Sequence, residues 1–477
     1  MTNIFKSCPL GLVIIALIFS LQISAQTTFQ KQYQIGQFHH FTECVQQTDD
    51  LGYIFQGWKL DVSFPLMKMT LVKTDTLGNV EWQKDYCKCI TNPPLCLSCG
   101  AASIMGGCIQ QTNDGGFIMS GSADDKMLLV KTDGYGNVTW AKTYGSGSYG
   151  KYVRQTADYG YICVGYSGSN IFIVKTDASG TLQWDRAYQL SPNYNDAAMD
   201  VDQINSGDFI VTGYSTTIFN PGPSADTTTD IVLLKLNSSG TLQWIRTYGQ
   251  DSESEEGHAV SKTSDGGYIV TGHTSQTGSG LSAADVFIWK FSSSDSPQFQ
   301  YSYKVGGFLS LDISFGYAGQ QTSDGGYALF GVTTGFGLTS ISYFSNFMLK
   351  LNNIADIEFC MSYKDSVSGA PISMGYSIWN DGKQLADGGY LLGGCGILNS
   401  GIGLGHKLIK TNSYGSSGCS ENTIYPTRYN FAPAAENQSP TNLATGSSDN
   451  INMFVSDPGI TEETVCIFTP LIVDAGM

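Results

Sequence analysis

The sequence predicts an all-β fold of seven repeated four-stranded antiparallel units closed into a ring. Three observations predict it. A glycine-bearing turn followed by an apolar strand recurs seven times: "DLGYIFQG", "DGGFIMSG", "DYGYICVG", "SGDFIVTG", "DGGYIVTG", "DGGYALFG" and "DGGYLLGG". A third apolar strand ends in Lys each time, at Lys73, Lys131, Lys175, Lys235, Lys290, Lys350 and Lys410. A fourth strand carries an aromatic residue and then Tyr four positions on: Trp82/Tyr86, Trp140/Tyr144, Trp184/Tyr188, Trp244/Tyr248, Phe299/Tyr303 and Phe359/Tyr363.

Each element has a local cause. In the unit from His258 to Tyr303, "HAVSKT" is a short strand and "SDGG" a hairpin turn, since glycine takes the positive φ such turns demand. "YIVTGHT" and "DVFIWKF" are the second and third strands, and "PQFQYSY" is the fourth. The Asp-x-x-Gly of "KTDTLGNVEW", "KTDGYGNVTW" and "KTDASGTLQW" is a second hairpin turn, worn in later units to "KLNSSGTLQW", "KFSSSDSPQF" and "KLNNIADIEF". A spacing of four along a strand keeps both aromatic rings on one face, where they pack between neighbouring sheets.

Only six fourth strands lie inside the repeats. "TTFQKQYQIG" at the N-terminus supplies the seventh, with Phe29 and Tyr33 four apart as in "LQWIRTYG". The first strand of the mature chain therefore completes the last unit. This closes a seven-bladed β-propeller and leaves no open ring edge. A linear stack of repeats would leave that strand orphaned.

The predicted organisation is a signal peptide over 1–25, the propeller over 26–418, a linker or C-terminal extension over 419–465, and a short terminal segment over 466–477. Lys6 followed by "PLGLVIIALIFSL" and "ISA" reads as an export signal cleaved after Ala25. The apolar run is shorter than the roughly 20 residues of a membrane span. Without Lys6 the chain has 24 basic and 41 acidic residues, a net of −17. Such a surface repels nucleic acid and anionic lipid, so neither is an expected partner and no membrane insertion is expected.

"DIVLLKLNSSGTLQWIRTYG" together with "DGGYIVTGHT" resembles the bacterial seven-bladed β-propeller repeats of secreted proteins, over roughly residues 27 to 415. The resemblance implies a secreted or surface-displayed protein without assigned chemistry. "TPLIVDAGM" is similar to the opening strand of immunoglobulin-like modules in large secreted bacterial proteins, so a module truncated at Met477 is expected over 466–477.

The repeated turns all fall at one end of the sheets. The variable segments fall at the other: Cys87 to Met105, Gln189 to Ala198, Ser215 to Thr229, Gln250 to Gly257, Ser275 to Ala283, Val332 to Ser345 and Gly396 to Gly405. A constant scaffold with one varied face suits a binding or adhesion module. The expected partner is an extracellular glycan, polymer or protein. A structural spacer within a larger surface protein is the alternative.

The third-strand Lys reads as a solvated or blade-pairing position. The Asp of each turn reads as a local hydrogen-bond acceptor. No metal is expected. The acidic run "DSESEE", with Asp251, Glu253, Glu255 and Glu256, is the weak candidate for a cation and reads foremost as a solvated loop. Eleven cysteines remain in the mature chain, so at least one is unpaired or bonded to another chain. "CKCITNPPLCLSC" places Cys87, Cys89, Cys96 and Cys99 close together. Behind an export signal these read as two disulfides stapling a loop, with zinc as the alternative. Cys419 and Cys466 are candidates for a bridge stapling the tail. Cys44, Cys108 and Cys163 read as small buried hydrophobes.

No catalytic residue and no cofactor is expected. His39, His40, His258, His273 and His406 form no triad-like or metal-spaced motif, and His273 reads as packing. "LVKTDTLGNVEW" is similar to the Trp-bearing repeats of quinone-cofactor dehydrogenase propellers. Those have eight blades and an adjacent Cys-Cys pair, whereas this chain shows seven units and no such pair.

Overall fold

The computed structural model describes residues 26–468 apart from 35–38, 61–66, 89–103, 191–194, 221–225, 250–252, 277–283, 306–312, 335–344, 364–380, 398–403, 420, 432, 439–440, 443–447, 451–452 and 457–460. Seven antiparallel sheets form a ring, a β-propeller. Blade I contains His39–Gln47, Tyr53–Leu60, Met67–Thr74 and Val80–Lys88 in sequential order. Blades II to VI repeat this meander over 104–144, 148–189, 196–249, 253–304 and 314–363. Blade VII takes three strands from 381–411, and its fourth is the N-terminal Thr28–Gln34, antiparallel to Leu404–Thr411 with Phe29 opposite Lys410.

Seven apolar clusters hold the ring, one between each pair of adjacent blades among the described residues. The aromatic/Tyr pair of each fourth strand explains why. Trp82, Trp140, Trp184, Phe299 and Phe29 each pack on the aromatic residue that opens the second strand of the next blade. At Tyr33, Tyr86, Tyr144, Tyr303 and Tyr363 the hydroxyl donates to the carbonyl of the next blade's second hairpin turn. Tyr86 reaches Gly136 at 2.8 Å, and Tyr33 reaches Gly78 at 2.7 Å across the closure. Where a bulky Trp packs beneath it, as in blade II, that turn takes glycine. Gly136 has φ 76°, and a Cβ on it would lie 2.8 Å from Trp82.

Blades V and VI place Asp295 (φ 61°) and Ala355 (φ 63°) at the equivalent position. Asp295 has a compensating use: its carboxylate accepts hydrogen bonds from Lys235 (2.9 Å) and Trp244 Nε1 (3.1 Å) of blade IV. At the inner end of the blades a glutamine girdle links neighbours. Gln111, Gln155, Gln203, Gln321, Gln384 and Gln47 each accept the turn N–H of the preceding blade at 2.7–2.9 Å. Blade V carries Lys262 at this position.

The third-strand lysines are not solvated. Their exposure is 2–7%, and all but Lys235 hold the ammonium against the turn Asp of their own blade, as in Lys290–Asp265 and Lys350–Asp324 at 2.9 Å, while Lys235 rests on Asp295 of blade V. The lysine also donates to the backbone at the end of its own strand, so the buried charge is paired and satisfied. Partial burial works against ionisation of these carboxylates. Hydrogen bonds from Thr263, Lys290 and the Gly267 N–H outweigh it and hold Asp265 at about 2; Asp324 is held at about 2 in the same way. Asp50, Asp114, Asp158 and Asp387 are also lowered.

An unfolded carboxyl titrates near 4, so below that the unfolded chain binds more protons. Stability from these pairs is therefore present above about pH 4 and lost as pH falls toward 2. Each pair is partly exposed and contributes under about 1 kcal/mol after screening. A thermal midpoint that falls steadily between pH 4 and 2, with a shallower fall in Asp265→Asn, is the expected result.

Each blade has five strands rather than the four read from the repeats. The polar segment over 419–465, expected as a linker or extension, supplies the fifth, with its last strand running on to Phe468. Glu421–Ile424, Thr427–Asn430, Ala434–Asn437, Thr441–Asn442, Ser448–Asn450, Met453–Ser456 and Thr461–Phe468 pair in turn with the outer strands of blades VI, V, IV, III, II, I and VII. The tail thus circles the ring against the direction of the blades and ends on Thr28–Gln34. Ile424 and Phe431 anchor it, each buried in an interblade cluster. Phe431 lies 5.4 Å from both Phe287 and Trp289. Cys466 lies in the strand Thr461–Phe468, opposite Gln30, and residues 469–477 lie outside the described residues.

Candidate functional site: the axial channel

The first strand of every blade runs along the ring axis. In blades I to VI its pairing with the second strand is broken by a β-bulge at the same place, and a bulge re-aims the side chain of the extra residue. The bulge residues are Glu43, Lys151, Met199, His258 and Tyr317, with Gly107 and Cys108 in blade II. All of them line one axial cavity of about 360 Å³. The repeated backbone therefore presents a different side chain from each blade to a common space.

Beside the cavity, toward the variable-loop face, lies an aromatic and charged layer that reaches it through Glu43, Lys151 and His258. Trp58 Nε1 donates to Glu43 Oε1 at 2.8 Å, and the Trp58 ring stacks on Phe41 at 4.1 Å. Tyr149 and Tyr166 stack at 5.6 Å, with the Lys151 ammonium 4.7 Å over the Tyr149 ring. Burial raises the Glu43 carboxyl, opposed by Lys151 and Trp58. Burial lowers the Lys151 ammonium, opposed by Glu43. In blade V, Glu256 lies directly opposite His273 across the strand pair, and His258 Nε2 is 3.2 Å from Glu256 Oε2. Burial and the neighbouring His258 push His273 down to about 3.

The tier toward the turn face holds a cation–carboxylate network. Arg154 approaches Asp200 at 3.5 Å and Asp202 at 3.9 Å, and its guanidinium lies 4.9 Å over Tyr152. Asp200 also accepts the Val260 N–H at 2.9 Å, joining blades IV and V. Asp381 accepts the Val45 N–H at 3.1 Å, joining blades VII and I, and pairs with Lys383 at 3.3 Å. Burial pushes the Asp200 carboxyl up to about 6 against the pull of Arg154. These are rigid, partly desolvated charges of both signs facing one cavity.

The predicted site residues fall differently. Of the acidic run, Asp251 lies outside the described residues, and Glu253, Glu255 and Glu256 begin the first strand of blade V instead of forming a loop. Strand alternation separates Glu255 from Glu256, and only Glu256 joins the histidines. Cys44 and Cys108, read as unbridged hydrophobes, form a disulfide. They occupy equivalent first-strand positions in adjacent blades, and the axis brings their Cα atoms to 5.0 Å. Cys163 is free and buried, as expected. Cys87 and Cys419 are disulfide-bonded, while Cys89, Cys96 and Cys99 lie outside the described residues.

The axial residues sit inside the repeated first strands, where variability of the loops gives no sign of them. Aligning the first strands "ECVQQT", "GCIQQT", "KYVRQT", "MDVDQI", "HAVSKT" and "YAGQQT" shows a varied leading position within a repeated frame, which was the available signal.

No family model matches the chain, and no curated protein matches its sequence. Solved structures similar to it include a protein of unknown function from Bacteroides caccae, at 10% identity and TM-score 0.38, covering 63% of this chain and 92% of that one. A streptogramin B lyase is similar at 11% identity and TM-score 0.42, covering 81% and 99%. Drosophila Plexin A in complex with Semaphorin 1b is similar at 8% identity and TM-score 0.45, covering 81% and 88%. At these values the likenesses carry no argument about function. The class, a seven-bladed β-propeller with an axial cavity, rests on the chain's own strand pairing.

Proposed function

We propose that this chain is an exported binding propeller of the bacterial secreted type, and that its ligand enters the axial channel from the variable-loop face. The observation that carries this reading is the ring of bulge residues, which turns a uniform scaffold into one mixed aromatic and charged cavity. Tyr152 and Tyr317 beside fixed hydrogen-bonding charges in the cavity wall suit the terminal sugar of a glycan or envelope polymer. The extended hairpin of blade IV, paired out to Asn220 opposite Asp226, lengthens that face. The disulfides support an oxidising location, in keeping with the export signal expected over 1–25. Binding without chemistry is the role proposed.

The test is binding of the mature chain to arrayed glycans and envelope polysaccharide fragments, followed by calorimetry on any hit. Tyr317→Ala is expected to weaken binding by about tenfold through the loss of one aromatic face lining the cavity, with the fold checked by circular dichroism. Absence of saturable binding would favour the spacer reading, which the circling tail also suits because it covers the outer edge of every blade.

A further inference from the structure

We propose that Glu256, His258 and His273 bind a divalent transition-metal ion of the zinc type. The backbone brings them together. Glu256 and His273 are directly opposed in the strand pair, and the bulge turns His258 to the same place. The three ligand atoms lie within 4.8 Å of one another. A tetrahedral zinc site needs them roughly 3.3 Å apart, within reach of side-chain rotation.

Packing does not call for these residue types. The equivalent sets in other blades are Phe41, Trp58 and Glu43, or Tyr149, Tyr166 and Lys151. Blade V alone among the described blades combines two imidazoles and a carboxylate here. His273 is 8% exposed, and its Nδ1 has no hydrogen-bond partner, an arrangement that costs free energy unless something occupies it. Two imidazoles and one carboxylate favour zinc and its neighbours over calcium or magnesium. Because His258 lines the cavity, the three ligands leave a coordination position toward the channel. This inference does not depend on the identity of the organic ligand.

The experiment uses the full mature chain, stripped with chelator and titrated with Zn²⁺ alone. Calorimetry and metal analysis after gel filtration give the affinity and stoichiometry. One Zn²⁺ per chain is expected, weakened at least tenfold in both Glu256→Gln and His273→Gln. Glu256 is partly exposed, so Glu256→Gln is expected to keep the fold, checked by circular dichroism. Replacement with Co²⁺ should give a visible spectrum of nitrogen and oxygen ligation. The proposal is overturned if no metal is retained, or if retention is unchanged in Glu256→Gln. It is equally overturned if the Co²⁺ form shows a thiolate charge-transfer band that survives both substitutions, which would place the metal on cysteines.

Discussion

Deletion of residues 26–34 is expected to abolish cooperative folding of the whole ring. Phe29 and Tyr33 are fully buried in the cluster that joins blade VII to blade I. Truncating one such buried aromatic costs about 3–5 kcal/mol. The strand also bonds Leu404–Thr411 on one side and the end of the tail on the other, so its loss opens two edges at once. Tyr33 to Gly78, Thr28 to the Ser417 carbonyl and Gln30 to the Ser417 hydroxyl would go with it. Together these losses are comparable with the roughly 5–15 kcal/mol that holds a typical native domain. The measurement is a thermal melt followed by near-ultraviolet circular dichroism. A single sharp transition in the deleted chain would show that closure by the first strand is dispensable.

Truncation after Gly418 should have the next largest effect, of a different kind. The four-stranded ring retains every interblade aromatic pair and the closure strand, so it should still fold. It loses Ile424 and Phe431 from two clusters, together with the cover over seven outer strands. Each anchor contributes about 2–5 kcal/mol by the cost of truncating buried apolar side chains. A chain of this size should then melt lower by roughly 5–10 °C. The uncovered fourth strands present unpaired N–H and C=O groups, so association at high concentration should accompany the loss. Phe431→Ala in the full chain should reproduce part of the fall in melting temperature without the association. Differential scanning calorimetry and light scattering read the two effects separately. An unchanged melt after truncation would mean that the tail contributes nothing to the ring.

The repeat was legible because its signals are local and recur. Turn glycines, strand alternation and the aromatic/Tyr pair each act within a few residues, and seven copies average out the worn ones. Even the worn turns have local reasons: at Asp295, a residue other than glycine takes φ 61° and gains two hydrogen bonds from the neighbouring blade. The third-strand Lys and the turn Asp recur visibly as separate features. Their pairing and burial do not show, because both depend on how the blade folds over the lysine stem.

By itself, the sequence determined the number of blades, the four-stranded meander and the closure by Thr28–Gln34, since all three follow from short-range periodicity and one displaced copy. Only the tertiary structure decided three further features. The tail carries no strand alternation of its own, and its strands exist because outer edges offer unpaired backbone groups in each blade. The Cys44–Cys108 bridge spans 64 residues and forms because equivalent positions in adjacent blades meet at the axis. Glu256, His258 and His273 converge because a bulge and a cross-strand register bring them together. These features depend on contacts between distant segments, and sequence spacing does not encode such contacts.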